Sequence, residues 1–172
     1  MTNLEALKHA LRQHAASTSS SPKQPLSDTQ YSAGFYTLVQ SSGGATYRDF
    51  IVPLLSRLLD PLFVTRAGVS VLEIGPGPKS VLGSLPTGLR RQIKKYTAFE
   101  PNGLYVERLE QWLSSHSSEA ELPLPCLDSP PDIRNDPFTL DHSAGANKIH
   151  DKFDVVLFCH SMYGMKPKRT YV

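Results

Sequence analysis

The chain has 172 residues, with 18 Lys and Arg against 16 Asp and Glu, 40% apolar and 20% charged side chains. That length suits one domain, or one domain with a tail, and is enough chain for a proper core. The net charge of +2 is scattered rather than striped, which argues against a nucleic-acid or membrane-surface protein held by electrostatics. No stretch nears the roughly 18 apolar residues of a membrane span.

Cys126 and Cys159 lie 33 residues apart and indicate neither a disulfide framework nor a zinc site, so no metal is expected. The start, MTNLEALKHALRQHAAS, lacks the long apolar core of a secretory signal, and a cytoplasmic location is expected. A short amphipathic mitochondrial presequence is the alternative, opposed by Glu5.

Leu4, Leu7, Leu11 and His14 recur at helical spacing, predicting a helix over residues 3–15. Residues 15–29 are rich in Ser and Pro and read as a linker, so residues 1–30 form a helix plus linker and 31–172 the folded domain. A helix is expected from Tyr31, with Tyr31, Phe35, Leu38 and Val39 on one face. Thr46 reads as the N-cap of a second helix with a stripe of Phe50, Leu54, Leu55, Leu58 and Leu59.

The period then changes. Residues 69–75, VSVLEIG, read as a buried parallel strand, and residues 80–95 as partly helical, broken by Pro86 and Gly88. A second strand is expected over 96–100, then a helix with Leu104, Leu109, Trp112 and Leu113 inward. Residues 114–150 form a long insertion hiding one weak strand near 122–127, and FDVVLFCHS, 153–161, reads as a central strand. This order predicts an α/β fold: a Rossmann-like, doubly wound parallel sheet.

In such sheets ligands sit at the carboxyl ends of the strands, near the point where strand order reverses. Three strand ends carry candidate residues. The first is Glu73 followed by Gly75 and Gly77, where missing side chains let a ligand approach the backbone. Glu100 closes the next strand 27 residues after Glu73, placed to accept hydrogen bonds from ribose hydroxyls. His160 and Tyr163 leave the last strand. Plainer readings stand beside these: a tight turn for the glycines, a solvated strand end for Glu100, a hydrogen-bonded strand terminus for His160 and Tyr163, a structural cap for Asp154.

Nucleotide-site patterns compete at the first strand end. A P-loop needs glycine directly before Lys-Ser, and Pro78 stands there. An NAD-type dinucleotide fold needs a third glycine where Ser80 stands, although Glu100 falls 20 residues further on. Neither pattern uses Glu73.

VLEIGPG, AFEPN and FDVVLFCHSMYG, in that order and spacing, resemble the seven-strand, class I S-adenosylmethionine-dependent methyltransferases, in particular the histamine N-methyltransferase-like branch. They are also similar to methyltransferase-like N-terminal segments of fungal proteins. The resemblance spans about residues 31–168. It implies S-adenosylmethionine as cofactor, with the turn at Gly75 and Gly77 against its methionine part, Glu73 holding its amino group and Glu100 its ribose. It further implies a lid from Tyr31, Phe35 and Tyr36, an adenine contact from Asp128 or Asp136, and His160 and Tyr163 facing the transferred methyl.

The expected activity is methylation of a small molecule, with secondary metabolism as a setting. Two departures are visible: Lys79 stands where a third glycine is frequent, and only strands one to four are found. An incomplete sheet would leave the fourth strand's edge open, to be covered by a second copy or a partner protein. The alternative is a truncated, inactive methyltransferase-like protein that acts as a binding partner or remnant.

Overall fold

The computed structural model describes His9, Gln13, residues 26–38, 44–114, 122–139, 152–159 and Ser161. His9 and Gln13 are helical and exposed; the rest of the expected first helix lies outside the described residues. Helix α1, Asp28–Leu38, starts three residues before the expected Tyr31, inside the segment assigned to the linker. The cause is a reciprocal cap. Gln30 N donates to Ser27 Oγ at 3.3 Å and Ser27 N to Gln30 Oε1 at 3.0 Å, satisfying two amides that the first turn leaves open.

The next helix corrects two expectations. Thr46 is itself helical and makes no capping hydrogen bond; it leads into a π-helical turn, Tyr47–Ile51, and then helix α2, Val52–Val64. Only part of the expected apolar stripe meets the core. Phe50 and Leu58 point outward, at 63% and 67% exposed, whereas Leu59 and Phe63 are buried, with Leu55 and Leu62 packed beside them.

Four strands form one parallel sheet in the order β3-β2-β1-β4: β1, Val69–Ile74; β2, Ile93–Phe99; β3, Asp132–Arg134; β4, Val155–Leu157. The expected α/β, Rossmann-like parallel sheet is present. Between β1 and β2 lie a 3-10 turn, Val81–Ser84, and a short helix α3, Thr87–Arg90. Pro86 separates them as expected, while Gly88 falls inside α3 rather than breaking it. Helix α4, Gly103–Ser114, buries Tyr105, Leu109 and Leu113, with Trp112 half-buried and Leu104 outside the core. Strand β3 was expected near 122–127, which instead forms bends and turns. Its three residues are too few to carry an alternating pattern.

Side chains alternate across β1. Val69 and Val71 join Phe63, Leu82, Ile93, Tyr96 and Leu109 in the larger core; Leu72 and Ile74 join Phe99 on the opposite face, with Phe138, Phe153 and Phe158 against them. Each such buried side chain contributes on the order of 2 kcal/mol. β4 is shorter than expected and lies at the sheet margin, with Val156 52% exposed. Asp154 settles the entry of β4: its Oδ2 accepts from Ser70 N at 2.8 Å and Ser70 Oγ at 2.7 Å, and its Oδ1 pairs with Arg66. The structural reading of Asp154 therefore holds, and these donors keep its carboxyl below the usual range. Among the described residues no helix is long and apolar enough to cross a membrane.

Candidate functional site

β1 ends in a turn that its own residues shape. Gly75 and Gly77 have φ of 65° and 72°, a left-handed conformation that costs other residues about 1–2 kcal/mol each. A Cβ on Gly75 would lie 2.7 Å from Ser161 Cβ, and one on Gly77 would face Phe35 Cζ at 4.0 Å. Gly75 therefore lets the chain pass close to Ser161, whereas at Gly77 the backbone conformation alone calls for glycine.

Two carboxylates hold this turn from opposite sides. Glu100, at the end of β2, accepts from Gly77 N at 2.9 Å through Oε2 and from Asn102 N at 3.0 Å through Oε1. Glu73 accepts through Oε2 from Ser80 Oγ at 2.6 Å and Tyr96 Oη at 2.7 Å. Ser80 Oγ in turn accepts from Leu82 N at 3.1 Å and caps the 3-10 turn. These links fix the shape of the loop around Lys79.

The same two groups have shifted acidities. Burial pushes the Glu100 carboxyl upward against the opposing effect of its two amide donors. Burial pushes Glu73 to about 7, opposed by Ser80 and Tyr96 and reinforced by the Glu100 charge. Tyr96 is driven upward by burial and by Glu73 and stays a proton donor.

Above the turn opens a cleft of about 640 Å³. It sits at the carboxyl ends of β1 and β2 and beside the residues that follow β4, which is the switch point of the strand order. Gly75, Gly77, Glu100, Tyr31 and Phe35 all line it, as do Tyr47, Phe99, Tyr105 and Phe138. Among the described residues, its charged lining groups are Asp28 and Glu100, and no Lys or Arg lines it.

Helix α1 forms one wall. Its first residue reaches across to α4, Asp28 Oδ2 accepting from Gly103 N at 3.0 Å, and Asn102 Nδ2 donates to the Asp28 carbonyl at 3.3 Å. The Tyr31 and Phe35 rings pack on Tyr105 with centroids 6.0 and 5.7 Å apart. Tyr36, grouped with them by sequence, points outward instead. The opposite wall is stitched by Asn135, whose Nδ2 donates to the carbonyls of Glu100 and Pro101 at 3.0 and 3.2 Å, and Phe138 stands edge-on to Phe99 at 5.4 Å.

Glu73 does not line the cleft. It is 1% exposed, on the helix-covered face of β1, directly before the lining residues Ile74 and Gly75. His160 and Tyr163 lie outside the described residues; Cys159 and Ser161, on either side of His160 in sequence, line the cleft. Ser161 Oγ is buried there without a hydrogen-bond partner among the described residues. Of the two aspartates considered for adenine, Asp128 donates its backbone N–H to the Lys94 carbonyl at 2.9 Å, near the start of β2 and away from the cleft. Asp136 directly precedes the lining residues Pro137 and Phe138.

Sequence reasoning missed Asp28, Asn102 and Tyr105, which join α1 to α4, and Ser80 and Tyr96, which hold Glu73. The Ser27-to-Gln30 cap spacing was a signal for where α1 begins, not for where it docks. The alternation of Tyr96 and Ala98 on the Glu73 face was the signal for Tyr96. Cys126 and Cys159 are both free thiols, and among the described residues no three His, Cys, Asp or Glu side chains gather to hold a metal ion. No family model, curated protein or solved structure matches the chain.

Proposed function

We propose that the cleft binds S-adenosylmethionine and that the chain is a methyltransferase domain acting on a small molecule. The observation that carries this reading is the lining itself: aromatic rings, a glycine turn and the carboxylates of Asp28 and Glu100, with no Lys or Arg among the described residues. Such a lining suits a ligand with a flat apolar base, hydroxyls and a positive charge. Aromatic faces attract a desolvated cation by up to about 2 kcal/mol, and Glu100 retains acceptor lone pairs for a diol beyond the two amides it serves.

The same lining disfavours an NAD-type ligand. A pyrophosphate wants free amides at a helix N-terminus and a nearby cation. Here the Gly77 amide is already given to Glu100, the turn runs into a capped 3-10 turn, and the nearest lining charges are negative.

When bound, the sulfonium supplies an electrophilic methyl group. The chain's task is then alignment and water exclusion, which can supply roughly 7–11 kcal/mol of a barrier. Tyr31 and Phe35 on α1 screen the cleft from solvent, Glu100 and the glycine turn fix the nucleoside and methionine ends, and Ser161 Oγ offers a polar contact. His160, between lining residues in sequence, is the proposed base for the acceptor's proton, with Tyr163 beside it. A His160→Ala enzyme with an unchanged rate would remove that role.

Calorimetric titration with S-adenosylmethionine, S-adenosylhomocysteine and NAD tests the reading. Micromolar binding of the first two, lost in Glu100→Ala, is expected. A folded protein that binds none of them, or only NAD, refutes it. Binding without turnover against any acceptor would favour the inactive, partner-type protein.

A further inference from the structure

The two carboxylates beneath the glycine turn differ in what their oxygens do. Both oxygens of Glu100 accept backbone N–H groups, donors that favour its ionised form. Glu73 concentrates both of its donors on Oε2, and its Oε1 is buried with no partner among the described residues. A buried oxygen without donors is the natural place for a proton, because an ionised carboxylate there would lack the hydrogen bonds that offset its desolvation. Among the described residues, the ionisable groups coupled to Glu73 are Tyr96 from β2, Glu100 at the end of β2 and Cys159 after β4, none of them cationic in the ordinary pH range. Glu100 and Cys159 both line the cleft, so charge there is felt at Glu73.

We propose that Glu73 is a charge-sensing specificity residue: neutral in the empty cleft, ionised when a cation occupies it, so that the cleft favours a sulfonium ligand over the thioether left after methyl loss. The inference rests on the S-adenosylmethionine reading and adds a proton to it. On binding, the Glu73 O–H bond breaks and its proton leaves to solvent; the carboxylate so formed, beneath the turn, is stabilised by the ligand's positive charge through the poorly screening interior. Once the methyl group has left, the ligand loses that charge, Glu73 takes a proton back from solvent, and the neutral product is held less firmly.

Linkage fixes the sign. Binding of the cation strengthens as pH rises toward the empty-state value of about 7 and levels off above it, by at most about tenfold per pH unit. The thioether shows no such rise from Glu73. The sulfonium-to-thioether affinity ratio is expected to grow about three- to tenfold from pH 5.5 to 7.5.

The experiment is calorimetry at pH 6.5 in two buffers of different ionisation enthalpy, with S-adenosylmethionine and S-adenosylhomocysteine, on wild type and Glu73→Gln. Gln keeps an acceptor for Ser80 and Tyr96, and subtracting its result removes protons lost by the ligand's own amino group. Proton release with the sulfonium, little with the thioether, and none above background in the variant is expected. A direct check on wild type alone is loss of the carbonyl stretch of a protonated carboxylic acid in difference infrared spectra when the sulfonium is added. Tight sulfonium binding with no proton release and no lost stretch overturns the inference and leaves the cofactor reading standing. Absence of binding overturns both.

Discussion

Two clefts of similar size open at opposite ends of the sheet, and they differ in everything except size. The one at the carboxyl ends of β1 and β2, about 640 Å³, is floored by two positive-φ glycines and walled by aromatic rings and acids. The other, about 570 Å³, lies where α2 and α3 meet near the start of β2, lined by Arg57, Asp60, Phe63, Leu89 and Gln92 among others. Gly88 there has nothing within 4 Å of an added Cβ, and no carboxylate holds its backbone. The lesson is that volume does not mark a site in this molecule. Backbone conformations and buried charges that the fold must stabilise at some cost do so.

Substitutions can break that contrast, and the largest effect is expected at Gly75. Gly75→Ala forces a left-handed backbone on a Cβ that lies 2.7 Å from Ser161 Cβ, costing about 2–4 kcal/mol in urea unfolding and abolishing ligand binding. Gly88→Ala, in open space within α3, should be neutral or slightly stabilising.

A change of similar size is expected from pH. The folded-state value of Glu73, about 7, lies above the ordinary 4.5, so the native state binds the extra proton. Its contribution is full below pH 4.5 and is lost as pH rises through 7. The total is on the order of 3 kcal/mol. Urea midpoints across that window should fall for wild type relative to Glu73→Gln; parallel curves would show that Glu73 does not titrate there. Asp154, held below its ordinary 3.8, acts oppositely and only in more acidic solution.

Glu100→Gln comes next. Glutamine has one acceptor oxygen, so its amide must face either Gly77 N–H or Asn102 N–H donor to donor. Losing one charge-assisted hydrogen bond costs about 1.5–3 kcal/mol, read as roughly 10- to 100-fold weaker S-adenosylmethionine binding. The smallest effect is expected in the other cleft, where Asp60→Asn should stay within about 0.5 kcal/mol of wild-type stability and leave binding unchanged. A large loss of binding there would dissolve the distinction between the two clefts.

The same contrast explains what was legible in the sequence. β1, β2 and the glycine turn announce themselves because buried parallel strands are continuous apolar runs and left-handed turns require glycine. Gly75, Gly77 and Glu100 follow from the strand ends, Tyr31 and Phe35 from the resemblance, and all five line the same cleft. β3 was misplaced because three residues, Asp132–Arg134, carry no period. Phe50 was misjudged because a π-helical turn breaks the 3.6-residue repeat between it and α2, and Leu58 because the core meets only the side of α2 that carries Leu55, Leu59, Leu62 and Phe63. Glu73 was assigned to the ligand when its place is beneath the turn, since a strand residue's face depends on what covers it, here Ser80 and Tyr96. The join between α1 and α4 through Asp28 is tertiary, and no local pattern in residues 26–38 shows where that helix will dock.

The most direct test of the central claim is hydrogen exchange with and without S-adenosylmethionine. Slower exchange confined to residues 28–36, 74–79, 99–105 and 135–139 is the expected result, because those segments wall the cleft. Protection centred on residues 56–64 and 86–92 instead, or no change anywhere in a folded protein, would contradict the account.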